Sequence, residues 1–172
     1  GETRLSGLIA SGFSKRYRLR GGGFHQANPR INEALVRTVV HEIAPKRRQR
    51  IVDMHGGAGN FGLVLAGKGA DVTISEIDPW VSADLRVNAL TFKGRGAVHV
   101  AEMSGAQALK RCSRRGPVDA VVFDAPRIGD LEGAACVAEV QPKRVVMLGC
   151  DPSTFARDLK RMGLGTSYRL TR

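Results

Sequence analysis

The sequence predicts an α/β domain built on a doubly wound parallel sheet, and three observations support this. Short segments rich in β-branched residues alternate with segments of helical periodicity along most of the chain. One of these segments, residues 118–123, is apolar on both faces of a strand, which is typical of a parallel strand covered by helices on each side. A glycine-rich segment follows the first strand of the alternation, as it does in Rossmann-like folds.

A short N-terminal β segment precedes the α/β domain. It occupies residues 1–23, with strands over residues 3–10 and 16–20, and we interpret it as the remnant of a preceding domain. The α/β domain occupies residues 24–172 and begins with a helix over residues 31–43, because apolar side chains recur on one face and Pro45 ends it. The predicted strands follow at residues 50–54, 71–75, 97–100, 118–124 and 143–149. The predicted helices lie at residues 60–67, 79–90, 104–111, 131–140 and 154–162.

Composition and charge narrow the classes of function. The 27 Lys and Arg exceed the 16 Asp and Glu and give a net charge of +11, which predicts a nucleic acid as partner. Aromatic residues make up only 5 % of the chain, which argues against a surface that stacks single-stranded bases. Three cysteines with no CxxC spacing exclude a disulfide framework and a Cys-rich metal site, so no metal is expected. No apolar stretch predicts a membrane span or a signal peptide, and we expect a cytoplasmic location.

The end of the first predicted strand carries a candidate cofactor loop. Gly57, Gly59 and Gly62 match the GxGxxG pattern, in which glycines let the backbone approach a ligand. Asp53 lies directly before this loop, where a carboxylate repels a pyrophosphate but tolerates the ammonium and sulfonium of S-adenosylmethionine. Glu76 ends the next strand, where it can accept hydrogen bonds from ribose hydroxyls. Nicotinamide enzymes share the last feature, so Asp53 is what favours S-adenosylmethionine.

Two further strand ends carry candidate reactive groups. Asp124 ends the fourth strand, and Arg127 stands in the following turn where methyltransferases acting on exocyclic amines tend to place an aromatic ring. An amino nitrogen is therefore not the predicted methyl acceptor. The fifth strand leads into Cys150, with Asp151 suited to cap a helix and Pro152 to its first position. The N-terminal end of a helix favours a thiolate, which makes Cys150 the candidate nucleophile.

Four segments together resemble the RNA uracil-5-methyltransferases, which make 5-methyluridine in transfer and ribosomal RNA. Residues 24–28 look like the FxQxN motif, residues 53–61 like DxxCGxGNF, residues 124–129 like DPPRxG, and residues 149–159 like SCNPxTLARDL. The match runs in order over most of the chain, and its last motif is the most specific. The resemblance implies a class I S-adenosylmethionine-dependent methyltransferase fold, S-adenosylmethionine as cofactor and RNA as substrate.

The resemblance also implies roles for individual residues. Cys150 matches the nucleophile, and Asp124 matches an acid of the active site that also contacts the cofactor. The implied cofactor-binding residues are Gln26, Asp53, His55, Gly57, Gly59, Asn60, Glu76, Met103 and Asp124. The implied substrate-binding residues are Phe24, Gln26 and Arg127. His55 and Met103 differ in side chain from the residues usual at their positions. Addition of a Cys thiolate to C6 activates uracil C5, which is otherwise too weak a nucleophile to accept a methyl group.

Some features depart from the family pattern and leave alternatives open. Gly56 replaces a frequent Cys, and the last motif reads Gly-Cys-Asp-Pro where the family has Ser-Cys-Asn-Pro. The family's general base is a Glu in an FPxTxHxE segment after a strand like residues 166–172, and the sequence to Arg172 contains no such segment, so we expect the domain to lack its last strand. One alternative is therefore a module that binds cofactor and RNA without turnover. Another is an RNA cytosine-C5 methyltransferase, although those enzymes usually carry a second Cys where Arg127 stands.

Overall fold

A computed structural model describes residues 8–9, 13–14 and 28–171. Two short strands, β1 (Leu8–Ile9) and β2 (Phe13–Ser14), pair antiparallel within the predicted N-terminal β segment. The predicted strand at residues 16–20 and the candidate substrate residues Phe24 and Gln26 lie outside the described residues.

The α/β part is a five-stranded sheet in which every neighbouring pair is parallel, as the sequence predicts. The strands are β3 (Arg50–Met54), β4 (Asp71–Ser75), β5 (Val98–Ala101), β6 (Ala120–Asp124) and β7 (Arg144–Leu148). Their spatial order is β5-β4-β3-β6-β7, so the chain winds outward from β3 in both directions. The carboxyl end of β3 lies at this reversal, where doubly wound folds bind their ligands.

Six helices connect and cover the strands of this described region. They are α1 (Pro29–Ile43), α2 (Gly62–Gly67), α3 (Pro79–Leu90), α4 (Gly105–Ser113), α5 (Leu131–Val140) and α6 (Pro152–Arg161). One core packs the sheet against α1, α2 and α3, and includes Val39, Ile51 and Leu65. The other packs it against α4 and α5, and includes Leu109 and Phe123. Both sheet faces are therefore covered, which explains the apolar strands. None of the described helices has the length and apolar character needed to cross a bilayer.

Side-chain caps set several helix starts, and they explain why some helices begin at other residues than predicted. Asn28 Oδ1 accepts hydrogen bonds from the N–H groups of Arg30 and Ile31, so α1 begins at Pro29, two residues before its predicted start. Asp151 caps α6 in the same way through the N–H groups of Ser153 and Thr154, as expected from the Asp-Pro sequence. The strands of the five-stranded sheet and the other helices lie within about two residues of their predicted positions, whereas β2 at Phe13–Ser14 was not predicted.

The segment of residues 166–172, which resembles the strand before the family's general base, is not a strand in the residues that the structure describes. Residues 164–168 form a turn closed by a bridge between Leu164 and Tyr168. Gly163 and Gly165 both have a positive φ, at 92° and 85°, and the Gly163 carbonyl accepts the N–H groups of Thr166 and Ser167. The backbone therefore reverses here, a feature that the β-branched and aromatic residues of this segment did not indicate.

Candidate active site

The site residues that the sequence predicts and the structure describes lie where the carboxyl ends of the parallel strands meet. This side of the sheet is here called the carboxyl edge. Strand register aligns Asp53 with Ile74 and with Val122, and Asp124 with Leu148. His55 and Glu76, which follow β3 and β4, consequently lie at nearly the same level as Asp124, the last residue of β6. Three strand spacings of about 4.8 Å separate β4 from β7, so Glu76 and the segment that leads to Cys150 lie on the order of 14 Å apart across this edge.

The glycine loop after β3 is held by hydrogen bonds from three sides. Gly56 N–H donates to the Ser75 carbonyl at 2.9 Å, which ties the loop to β4. Asn88 Nδ2 donates to the Ala58 carbonyl at 3.0 Å, which ties it to α3. The side-chain amides of Asn60 and Asn32 exchange two hydrogen bonds of 2.8 and 3.0 Å, which tie it to α1. The loop is therefore a rigid backbone surface.

Two glycines of this loop adopt a conformation that disfavours other residues. Gly57 and Gly59 have φ values of 56° and 102°. No described atom lies within 4 Å of a Cβ built on Gly57, whereas one built on Gly59 would lie 2.6 Å from Leu63 Cδ1. A glycine is thus needed at position 59 because the Leu63 side chain packs directly against the backbone. At Gly57 the backbone surface is open, and a ligand can approach it.

Asp53 differs from the expectation that it contacts a cofactor. Its side chain has no exposed surface, and Oδ2 accepts the N–H of Gly62 at 2.8 Å, so the carboxyl lies beneath the loop and anchors the start of α2. Burial raises the pKa of Asp53 to about 8, with Asp124 and Glu76 adding to the shift. The group is therefore largely neutral at pH 7. Its Oδ1 is buried without a hydrogen-bond partner among the described residues.

This shift makes stability depend on pH in a testable way. Between its ordinary pKa of 3.8 and about 8, Asp53 holds a proton in the folded protein that the unfolded chain releases. The free energy of unfolding therefore falls as pH rises through this interval, by up to about 1.4 kcal/mol per pH unit. Urea denaturation between pH 5 and 7.5 is expected to show this slope, and Asp53→Asn is expected to flatten it.

Asp119→Asn is the matched control. The hydrogen bond from Lys143 Nζ lowers the pKa of Asp119, so this carboxylate titrates below the interval. The slope between pH 5 and 7.5 should be the same in Asp119→Asn as in the unmodified chain. A slope that persists undiminished in Asp53→Asn contradicts the assignment of the buried proton to Asp53.

Glu76, which follows the neighbouring strand β4, holds the glycine loop through a hydrogen bond. Its Oε2 accepts the N–H of Gly57 at 3.2 Å, and its Oε1 accepts the N–H of Asp78 at 2.8 Å. The carboxylate is partly exposed beside the open surface of Gly57. Met103, in the loop after β5, is also partly exposed and packs against the core under α4. Both residues lie where the sequence predicts cofactor contacts.

His55 forms a side-chain hydrogen bond that the sequence did not indicate. Its Nε2 lies 2.9 Å from Asp130 Oδ2, and its ring meets Phe123 edge to face with centroids 6.0 Å apart. Burial raises the pKa of Asp130, but the hydrogen bonds from His55 and Gly133 N–H outweigh it, so the pKa lies below its ordinary value. Burial also raises the pKa of the neighbouring Asp124, and the charge of His55 opposes that shift.

A second set of contacts joins the Asp130 loop to α6. The buried Asp158 accepts the N–H of Asp130 at 2.6 Å and pairs with Arg157 at 2.8 Å. Arg157 also donates to the Ile128 carbonyl, and Thr154 Oγ1 donates to the Arg127 carbonyl at 3.0 Å. The glycine loop, the loop that carries Arg127 and the start of α6 are thus connected through side chains.

Cys150 lies between β7 and α6 and is exposed, in contrast to the buried Cys136 and the half-buried Cys112. The next residue, Asp151, caps α6, and its hydrogen bonds with the Ser153 hydroxyl and the Thr154 N–H lower its pKa to about 2. Cys150 is thus an accessible thiol at the carboxyl edge, immediately before the N-terminus of a helix, as the sequence predicts.

Comparisons with known proteins connect this geometry to a family. No protein-family model matches the chain. The chain is 33 % identical over 153 residues to the 23S rRNA (uracil(1939)-C(5))-methyltransferase RlmD of Shewanella sediminis, a match that covers 83 % of the chain and 34 % of the relative. It is 35 % identical over 155 residues to RlmD of Pseudomonas aeruginosa, with 89 % of the chain and 34 % of the relative covered.

A solved structure agrees with these relatives. The tRNA (uracil-54, C5)-methyltransferase of Pyrococcus abyssi in complex with S-adenosyl-L-homocysteine superimposes with a TM-score of 0.72 at 27 % identity, over 91 % of this chain and 36 % of that one. The chain belongs to the RNA uracil-5-methyltransferase family. It has the predicted class I methyltransferase fold, and it spans about a third of the length of the curated relatives that it matches.

Within this family member, sequence reasoning missed the residues that join the loops. One local feature of the sequence could have identified Asp130, namely its position directly before α5. There its Oδ1 caps the helix by accepting the N–H of Gly133 at 2.8 Å. Asp158 lies in the last family motif, but its burial beneath Asp130 is visible only in the structure. Asn32, which pairs with Asn60, had no recognisable signal in the sequence.

Proposed function

We propose that the chain catalyses S-adenosylmethionine-dependent methylation of uracil C5 in RNA and forms 5-methyluridine through a covalent adduct between Cys150 and C6. The single observation that carries the proposal is the position of Cys150, an exposed thiol at the carboxyl edge of a methyltransferase sheet. The relatives are named as enzymes acting on uracil C5 of 23S rRNA or tRNA, so we propose ribosomal or transfer RNA as the substrate class. A cytoplasmic location stays a prediction.

The residues at this edge fit the cofactor. Gly57 offers open backbone surface, and the Glu76 carboxylate next to it can accept hydrogen bonds from vicinal hydroxyls. We place the cofactor against Gly57, Gly59, Asn60 and Glu76, with His55, Met103 and Asp124 around them, and assign to Asp53 the role of holding the loop from below. S-adenosylmethionine, when bound, supplies an electrophilic methyl group.

Cys150 performs the covalent steps of the reaction, and no described residue is assigned as the base that removes the C5 proton. The Cys150 thiolate adds to C6 of the uracil ring, and the electron pair of the C5–C6 double bond shifts to make C5 nucleophilic. After C5 is methylated, a base removes the C5 proton, the double bond re-forms and Cys150 leaves as a thiolate. We assign substrate contact to Arg127, in the loop beside α6, and Phe24 and Gln26 keep their predicted roles at the target base.

The proposal is tested by incubating the chain with an unmodified tRNA or rRNA transcript and excess S-adenosylmethionine, followed by nucleoside mass spectrometry. We expect more than one equivalent of 5-methyluridine per chain. Appearance of 5-methylcytidine would instead indicate the cytosine-C5 alternative. Binding of cofactor and RNA with no modified nucleoside would indicate the module without turnover.

Glu76 provides a test of the cofactor site that does not depend on turnover. Glu76→Ala is expected to weaken S-adenosylhomocysteine binding by about tenfold to a hundredfold in a calorimetric titration, because it removes a charged acceptor and the brace on Gly57. Glu102→Gln is the control, since it removes a carboxylate after the adjacent strand that pairs with Arg86 at 2.7 Å. Equal affinities for Glu76→Ala and Glu102→Gln would contradict this site.

A further inference from the structure

The charge of the chain is distributed unevenly between the two edges of the sheet. The five loops that lead into the strands, here called the amino-side loops, are residues 44–49, 68–70, 91–97, 114–119 and 141–143. They contain nine Lys and Arg and one acidic residue, Asp119. The five carboxyl-side loops, residues 55–61, 76–78, 102–104, 125–130 and 149–151, contain one Arg and five Asp and Glu. The positive charge of these loops therefore lies on the side of the sheet opposite the candidate active site.

The amino-side loops form one continuous surface, which we call the basic edge. Arg48 N–H donates to the Gly69 carbonyl at 2.9 Å, and the Arg50 guanidinium donates to the Pro117 carbonyl at 2.8 Å. Gly96 N–H donates to the carbonyl of Ala66, and Lys143 Nζ donates to Asp119.

The basic residues of the basic edge are Lys46, Arg47, Arg48, Lys68, Lys93, Arg95, Arg114, Arg115 and Lys143. All nine are exposed, and Lys143 alone pairs with a carboxylate among the described residues.

Helix stabilisation does not account for this charge. Basic side chains favour the last turn of a helix because they interact with its dipole, and that effect fades beyond this turn. The last turns of α2, α3 and α5 contain no basic residue, whereas that of α4 contains Lys110 and Arg111. Lys68 and Arg114 are the C-terminal caps of α2 and α4, and the other seven basic residues of the basic edge lie beyond the helix ends. Most of the positive charge on the basic edge is thus not explained by stabilisation of the helices.

The chemistry of the basic edge fits a phosphate backbone. A groove of about 540 Å³ opens beside it between α4 and strands β3, β4 and β5. Its lining includes the basic residues Arg50, Arg111 and Arg115, together with His99 and one carboxylate, Asp71. The amino-side loops contain one aromatic residue, Phe92, which is partly buried, so the surface offers charge and little ring area for stacking bases. Arg-rich surfaces without stacking rings bind nucleic acid through its phosphates and with little sequence preference.

We propose that the basic edge docks the phosphate backbone of a folded RNA while another part of the same RNA reaches the carboxyl edge. This inference rests on the proposed function for the identity of the polyanion. Five-residue strands span about 17 Å, so one RNA must extend around the domain to touch both edges. The proposal therefore favours a folded transcript over a short oligonucleotide as the substrate.

The test compares two triple variants that each remove three positive charges. Arg47, Arg114 and Arg115 are changed to Gln on the basic edge, and Arg30, Arg37 and Arg86 are changed to Gln on α1 and α3 as the matched control. Affinity for an unmodified tRNA transcript is measured by fluorescence anisotropy at several salt concentrations. At about 0.1 M salt the basic-edge variant should bind tenfold to a hundredfold more weakly, and its slope of log K against log salt should be shallower by about two.

The outcomes separate this inference from the proposed function. Equal losses in the two variants, or no loss in the basic-edge variant, would overturn docking at the basic edge while leaving methyl transfer intact. Failure of the unmodified chain to bind the transcript at all would overturn the proposed function itself. Unchanged S-adenosylhomocysteine binding in the basic-edge variant is expected, and it shows that the domain remains folded.

Discussion

Replacement of Cys150 by Ala is expected to abolish formation of a covalent complex with RNA. With 5-fluorouridine in the RNA and S-adenosylmethionine present, the unmodified chain should form an adduct that survives denaturing electrophoresis, because the fluorine at C5 cannot leave as the proton does. Cys150→Ala has no sulfur to add to C6. Its turnover on unmodified RNA should fall on the order of 10⁴-fold or more, as expected when a covalent nucleophile is removed.

Cys112→Ala is the matched control for this experiment. Cys112 is also a free cysteine, but its Sγ lies 3.4 Å from Thr73 Oγ1 on the sheet face under α4, away from the carboxyl edge. This variant should form the adduct as the unmodified chain does. An adduct with Cys150→Ala, or none with the unmodified chain, would show that Cys150 is not the nucleophile.

Replacement of Gly62 by Val is expected to lower the free energy of unfolding by about 3 kcal/mol or more. A Cβ at this position would lie 2.6 Å from two atoms of the Ile74 side chain and 2.8 Å from Asp53 Oδ2. Ile74 and Asp53 have no exposed surface, so neither side chain can move aside into solvent. The added atoms must therefore displace the start of α2 and break the hydrogen bond from Gly62 N–H to Asp53.

Gly57→Ala is the matched control, because it tests a glycine of the same loop that has open space in front of it. Its φ of 56° costs an alanine about 1 kcal/mol, and no described atom lies near the new methyl group. Urea denaturation should rank Gly62→Val well below Gly57→Ala in stability. A calorimetric titration of folded Gly57→Ala should show weaker S-adenosylhomocysteine binding. Equal stability of the two variants would contradict the packing described for Gly62.

The parts of the site that sequence reasoning placed correctly are those fixed by neighbouring residues. The Asp-Pro pair at residues 151 and 152 predicts a capped helix start, and this cap leaves Cys150 just before α6. The glycine spacing predicts a tight loop after β3, and two of these glycines have positive φ. Local signals suffice here because a cap or a turn involves atoms only a few positions apart.

The role of Asp53 shows where such reasoning stops. Its position before the glycine loop predicts a charged group that faces a cofactor, but the structure buries it and raises its pKa to about 8. Burial depends on Ile74 and on the start of α2, which close over the carboxyl only after the strands pair. The hydrogen bond between His55 and Asp130 likewise joins residues 75 positions apart.

By itself, the sequence determined the alternation of strands and helices, the helix cap at Asp151, the glycine loop and the resemblance to the RNA uracil-5-methyltransferases. These features depend on residue type and short spacing. Only the tertiary structure decided that Asp53 lies beneath the loop, that Asp130 and Asp158 connect that loop to α6, and that basic loops gather at the edge opposite Cys150. The physical reason is that burial, ion pairing between distant residues and the sidedness of charge depend on which segments pack together, and strand order sets that packing.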